Sequence, residues 1–227
     1  MIISVHQPQY LPWLGYFEKI AKSDTFVFLD NVQYKEREFQ NRNKIRTKDG
    51  SSWLTVPVIS KGEGRQKIRD VKIDDESDWR RKHLASLRSS YGRAVFFKDY
   101  YPFFEEVLGK KWVYLKDLNI EIIKFILKEL SIDTPISFES DLKVTAMSTQ
   151  RIIDICKKLK ADTYFSGSGG RSYLDQGLFA QENIKLIYQE FLHPQYKQCY
   201  EPFLPFMSII DLLFNHGAGS RKILLSL

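Results

Sequence analysis

Ile2-Ile3-Ser4-Val5-His6-Gln7-Pro8-Gln9-Tyr10-Leu11-Pro12-Trp13-Leu14-Gly15-Tyr16-Phe17 runs at the start of the chain, and Thr25-Phe26-Val27-Phe28-Leu29-Asp30 follows it closely. The β-branched run at 2–5 reads as a strand. Two prolines then bias their predecessors away from helix. Over 13–22 the apolar residues Trp13, Phe17 and Ile20 are spaced close to one helical face. The dense apolar run at 25–29 is short enough for a buried parallel strand, and Asp30 ends it. Strand, helix and strand within about thirty residues make a βαβ unit. Ligands of such sheets bind beyond the carboxyl ends of the strands.

The polar stretch 31–48 leads to Asp49-Gly50, a hairpin turn signal, and 52–59 reads as strand. Gly62 and Gly64 mark a mobile loop, and 71–73 a further short strand. The middle is helical. Asp78 is placed to cap a helix through Ser90 with Leu84, Leu87 and Tyr91 on its buried side, and helices follow over 103–108 and 115–130. Pro135 opens a strand at 136–138, and Ser148 or Thr149 caps a helix carrying Ile152, Ile155, Cys156 and Leu159. Strands at 163–165 and 185–190 flank a helix at 178–183, and a final helix at 208–215 is one that Gly217 can terminate. The expectation is a single α/β domain over residues 1–227 with an open, mostly parallel, Rossmann-like sheet and a mainly helical insertion at 78–130.

At 227 residues, with 43% hydrophobic and 27% charged side chains, the composition excludes a disordered chain. Its 12 Tyr, 16 Phe and 4 Trp suit a chain that lines a pocket as well as fills a core. Lys and Arg outnumber Asp and Glu by 34 to 28, and the resulting +6 favours anionic partners. That charge is dispersed, which argues against nucleic acid. Cys156 and Cys199 make no disulfide framework and no metal-binding pair, so no metal is expected. Met1 leads directly into a strand, and the most apolar window, 203–214, is broken by Pro205 and Asp211. A cytoplasmic protein without membrane insertion is expected.

Several residues stand where chemistry is done. His6 closes the first strand, with Gln7, Tyr10, Trp13, Gly15 and Tyr16 in the turn after it; Tyr10, Trp13 and Tyr16 offer either core packing or a stacking surface. Asp30, with Gln33 and Tyr34 beyond it, can bind a ribose hydroxyl, act as a base or cap a turn. Gln40-Asn41-Arg42-Asn43 is either a solvated loop or a clamp of directional hydrogen bonds. Ser166-Gly167-Ser168-Gly169-Gly170, followed by Tyr173, offers successive backbone N–H groups to a phosphate or oxyanion, though it is neither a dinucleotide fingerprint nor a Walker loop. His193, with Tyr196 and Gln198 after it, gives His6 a partner from another strand end. His83 and His216 read as structural.

These motifs, taken in order with Ser208-Ile209-Ile210-Asp211-Leu212-Leu213-Phe214-Asn215, resemble the WbqC-like family over essentially the whole chain. The opening is also similar in fold to nucleotidylyltransferases and class I synthetases of the HIGH signature. Trp13 and Tyr16 stand where the signature's two histidines would be, while Gly15 is retained. The loss of both imidazoles argues against adenylyl transfer.

The family resemblance implies a glycyl or other acyl transferase acting on an amino sugar in bacterial surface-polysaccharide (O-antigen) biosynthesis. The expected partners are a nucleotide-linked amino sugar and an activated acyl donor: a thioester, an aminoacyl-tRNA or an adenylate. No tightly bound cofactor is expected. His6 is the expected base and His193 its alternate, with the backbone of Gly167, Gly169 and Gly170 holding an oxyanion or phosphate. Gln40, Arg42 and Asn43 would hold the sugar or diphosphate, and Tyr10 and Trp13 would stack on a ring. An ATP-dependent adenylating or nucleotidyl-transferring enzyme and a non-catalytic nucleotide-sugar binding module are the rival readings.

Overall fold

The computed structural model describes residues 1–59 and 66–226, so the loop expected at Gly62 and Gly64 lies outside the described residues. The βαβ opening forms as β1 (Ile2–His6), α1 (Leu14–Ala21) and β2 (Thr25–Phe28), with β1 parallel to β2 from Ile3 opposite Thr25 to His6 opposite Phe28. Three further strands complete the main sheet: β5 (Ile136–Phe138), β6 (Thr163–Ser166) and β7 (Lys185–Tyr188). Its order is β5-β2-β1-β6-β7 and every pairing is parallel. The chain builds outward from β1 to β2 and β5, then crosses back to lay β6 and β7 on the other side. The direction of winding therefore reverses between β1 and β6, the place where open α/β sheets hold their ligands.

Strand alternation decides what faces the two sides. Ile3 and Val5 of β1 and Val27 of β2 join a core with α6 (Ser148–Leu159) and α7 (Gln176–Gln181). Phe26 and Phe28 face the opposite core, which also holds Tyr16, Phe17 and Ile20 of α1. With a period of two, Ser4 and His6 fall on the α1 side. There Ser23 donates to Ser4 Oγ (2.8 Å) just past the end of α1, and the His6 ring stacks on Tyr16.

Residues 79–129 fold into α2 (Trp79–Tyr91), α3 (Phe97–Gly109) and α4 (Leu115–Glu129). They share the α1-side core with α8 (Ile209–His216) and with a small antiparallel hairpin, β3 (Arg42–Thr47) and β4 (Gly50–Thr55). The hairpin places a strand in the polar stretch 31–48: β3 is polar in sequence, yet Ile45 and Leu54 bury one face of the ribbon. Its turn is Lys48-Asp49, one residue before the expected Asp49-Gly50, with Gly50 opening β4 opposite Thr47, and β4 ends at Thr55 rather than running to 59. Residues 71–73 form isolated antiparallel bridges, Lys72 to Tyr114 and Ile73 to Val58. Met147, not Ser148 or Thr149, takes the N-cap position of α6, while Asp175 caps α7 by accepting from the N–H groups of Gly177 and Leu178. Gly217 ends α8 at φ +54. Two short helices were not foreseen, α5 (Glu139–Leu142) and α9 (Ser220–Leu225). Among the described residues no helix is long and apolar enough to cross a membrane.

Candidate active site

A cavity of about 410 Å³ opens at the carboxyl ends of β1 and β6, where the winding reverses. His6, Gln7, Gln9, Trp13, Gly15, Tyr16 and Lys19 line it from the β1–α1 segment. Ser166 to Gly170, Ser172 and Tyr173 line it from the segment after β6, and Gln189 from the end of β7. Expected residues separated by some 160 positions thus meet in one place because β1 and β6 are hydrogen-bonded neighbours.

His6 is half-buried, and Lys19 on α1 brings Nζ to 3.1 Å from its Nδ1 and 3.2 Å from the carbonyl of Val5. The Tyr16 ring stacks on the imidazole at 5.1 Å and donates its hydroxyl to the Gln7 carbonyl (3.0 Å). Burial, and secondly the Lys19 charge, hold the His6 pKa well below its ordinary value. Lys19 is only 2% exposed. Desolvation lowers its pKa to about 7 against an opposing pull from Glu18. Glu18 does not pair with it directly: its carboxylate meets Lys22 and the Gln189 amide (2.5 Å), which also donates to the Gly15 carbonyl (2.7 Å). Gln189 thereby ties the end of β7 to α1.

The walls follow from glycine. A Cβ on Gly15 would stand 2.3–2.8 Å from the Trp13 indole, so only glycine lets that ring lie over the start of α1. A Cβ on Gly170 would meet Ser166 Oγ at 2.1 Å, and one on Gly167 would come 3.8 Å from Lys19 Nζ. The Gly170 N–H is already donated to the Gly167 carbonyl (2.9 Å), which corrects its expected role as a free donor. Among the described residues the N–H groups of Ser168 and Gly169 have no backbone partner. Gln9 is 7% exposed, and its buried Oε1 has no hydrogen-bond partner. An acceptor buried without a partner is a cost to the free protein.

Other expected residues lie elsewhere. His193 does not line the cavity. It sits among Phe191, Tyr196, Phe203 and Phe206, its Nδ1 against the Pro194 carbonyl (2.9 Å) and its Nε2 accepting from Phe206 N–H (3.1 Å). The expected convergence of the two imidazoles is therefore corrected, because both nitrogens of His193 are used to shape its own loop. Tyr10 is core, bonded to His83 Nδ1 (2.9 Å). Asp30 is fully buried and accepts from the N–H and hydroxyl of Ser140, so of its three readings it takes the cap. Gln33 is exposed and Tyr34 is buried, both bridged to the segment at 66–67.

The Gln40–Asn43 string also serves the fold. Gln40 accepts from Lys35 N–H, Asn41 donates to the Val56 carbonyl and Asn43 donates to the Leu11 carbonyl. Arg42 bonds the Arg37 carbonyl and lies 4.4 Å over the Trp53 ring. Tyr196 and Gln198 both donate to the buried carboxylate of Asp211 at 2.8 Å.

Reading by motif passed over Lys19, Gln9 and Gln189. Gln189 follows directly on β7, so the strand-end rule was the signal for it. Gln9 sits inside the opening motif. Lys19 lies one turn after Tyr16 on α1, a spacing that puts the two side by side. Among the described residues no group of His, Cys, Asp and Glu is arranged to hold a metal ion.

Set against known proteins, the model of the WbqC-like protein family matches residues 7–223. An uncharacterized protein of Mycobacterium tuberculosis, Rv1507c, is 35% identical over 218 residues, spanning 95% of this chain and 94% of that protein. No solved structure gives a match.

Proposed function

This chain belongs to the WbqC-like protein family, and from that premise we propose that it is a cytoplasmic transferase moving an acyl or aminoacyl group, glycyl among them, onto the amine of a nucleotide-linked amino sugar for bacterial surface polysaccharide. The observation that carries this reading is His6: an imidazole kept uncharged, at a strand end in the cavity, with one ring nitrogen engaged by Lys19 and the other left for a ligand. An acyl transfer needs such a base, since the attacking amine must shed a proton as its bond to the carbonyl carbon forms. In this reading the Ser168 and Gly169 N–H groups, which have no backbone partner, receive the oxyanion. As the tetrahedral centre collapses, the leaving group departs and takes back a proton from His6. Trp13 and Tyr173 at the wall, the latter 66% exposed, supply aromatic faces for the ring of the sugar or base.

The test is incubation of the purified protein with candidate amino-sugar nucleotides and each class of activated acyl donor, followed by mass spectrometry of the acceptor. A mass gain equal to the acyl group is expected, lost on the order of 10²–10⁴-fold in His6→Ala while ligand binding persists. Pyrophosphate release from ATP without a supplied donor would instead support an adenylating enzyme. Binding of the nucleotide-sugar with no donor consumed would leave a binding module, and unchanged turnover in His6→Ala would remove the assignment of the base.

A further inference from the structure

Lys19 is a buried amine whose Nζ contacts only neutral groups, the Val5 carbonyl and His6 Nδ1. No carboxylate among the described residues forms an ion pair with it. A buried ammonium left without a counter-ion is costly, and the amine form is correspondingly accessible. The two protonation states of Lys19 dictate opposite states of His6. An ammonium has only protons to offer, so Nδ1 must accept and the imidazole proton sits on Nε2. An amine carries a lone pair. Imidazole N–H is the better donor and an aliphatic amine the better acceptor, so Nδ1–H donates to Nζ and Nε2 holds the free lone pair.

We propose that Lys19 is the positioning residue that sets which nitrogen of His6 carries the proton, and that it receives the proton when the pair acts as base. The inference rests on the transferase reading only for the identity of the proton donor. The step balances: the N–H bond of the attacking amine breaks as H–Nε2 forms, Nδ1–H breaks as H–Nζ forms, and the positive charge comes to rest on Lys19. The basicity of the pair is then that of the lysine, near 7, rather than that of an imidazole held well below its usual range. Groups facing the pair are few. Tyr16 stacks on the ring, Glu18 turns to Lys22 and Gln189, Gly167 presents backbone, and Tyr164 and Glu38 line the cavity farther along.

The experiment is ¹⁵N NMR of the imidazoles in the full chain between pH 5.5 and 8.5, which needs no substrate; His6 is assigned by its loss in His6→Ala. His6 is expected to exchange tautomers, with the proton on Nε2 at the acid end and on Nδ1 at the basic end, and a midpoint near 7. In Lys19→Met the exchange disappears, and Lys19→Arg, charged throughout, holds the Nε2–H tautomer at every pH. A single tautomer across the range in the wild type, or an exchange that persists in Lys19→Met, overturns the proposal. Should a variant fail to fold, the wild-type titration alone decides. An intact tautomer exchange with no acyl transfer sinks the transferase reading and leaves Lys19 in its role; acyl transfer with a fixed tautomer does the reverse.

Discussion

Asn43 donates its side-chain N–H to the carbonyl of Leu11 at 2.7 Å, joining the first residues of β3 to the turn that follows β1. Leu11 is buried and held at φ +47, a conformation that disfavours a side chain. Asn119 grips the same turn from α4, donating to the carbonyls of Pro8 and Gln40. The polar string, which offered either a solvated loop or a ligand clamp, is thus a set of staples behind the cavity wall, and the geometry of Gln9 and Trp13 depends on it.

Asn43→Leu strands the buried Leu11 carbonyl, and a loss of about 1–3 kcal/mol is expected. Urea denaturation at neutral pH measures it. A variant as stable as the wild type would show that the staple is not needed to hold the turn.

Gly15→Ala tests the wall itself. The new methyl cannot coexist with the indole 2.3–2.8 Å away, so Trp13 must swing off the helix start. The overpacking costs about 1–3 kcal/mol. The Trp13 emission should shift relative to the wild type and to Gly169→Ala, where nothing lies within 4 Å of the added Cβ. Identical spectra in all three proteins would refute the contact.

Gln9→Met separates binding from stability. Removing a buried acceptor without a partner relieves the free protein of an unmet hydrogen bond, so its melting temperature should hold or rise. Affinity for the nucleotide-sugar, followed by calorimetry, should fall about tenfold, the worth of one hydrogen bond to the ligand. A destabilised variant with unchanged affinity would place Gln9 in the scaffold instead.

Acid stability follows from His83, whose pKa burial lowers to about 4 against a smaller upward pull from the Thr55 carbonyl. Below the ordinary value of 6.5 the unfolded chain takes up a proton that the native state refuses until about pH 4. The unfolded state then binds more protons, so stability falls as pH drops through that window. The loss attributable to this residue is on the order of 3 kcal/mol. His83→Phe should flatten the decline in urea midpoints between pH 6.5 and 4.5, while losing the Tyr10 hydrogen bond equally at every pH. His6 and His193, also lowered by burial, act in the same direction and leave a residual slope. A slope unchanged from the wild type would mean that His83 titrates normally.

Much of the architecture was legible because its signals are local. Alternation of Ile3 and Val5, the dense run at Phe26 to Phe28 and the Asp49-Gly50 signal of the hairpin each act within a few residues. The polar strand β3 was not legible, since only its pairing with β4 and the packing of Ile45 and Leu54 make it a strand. In the site, His6, Trp13 and the Ser166–Gly170 loop were readable from strand ends and glycine content. Asp30 and Tyr10 were not separable from ligand contacts, because a buried cap and a binding group share the same side-chain chemistry.

The order of residues by itself determined that a parallel sheet would start at Ile2 and that chemistry-bearing groups would collect at its strand ends, since period and turn chemistry are properties of short segments. Only the tertiary structure decided that Lys19 meets His6 and that Gln189 joins them at the cavity while His193 does not. Gln189 arrives because β6 and β7 lie beside β1, and Lys19 because α1 packs back onto β1 with Nζ against Val5 and His6. Whether a charged side chain is buried or solvated is settled by neighbours distant in the chain, and no local pattern carries it.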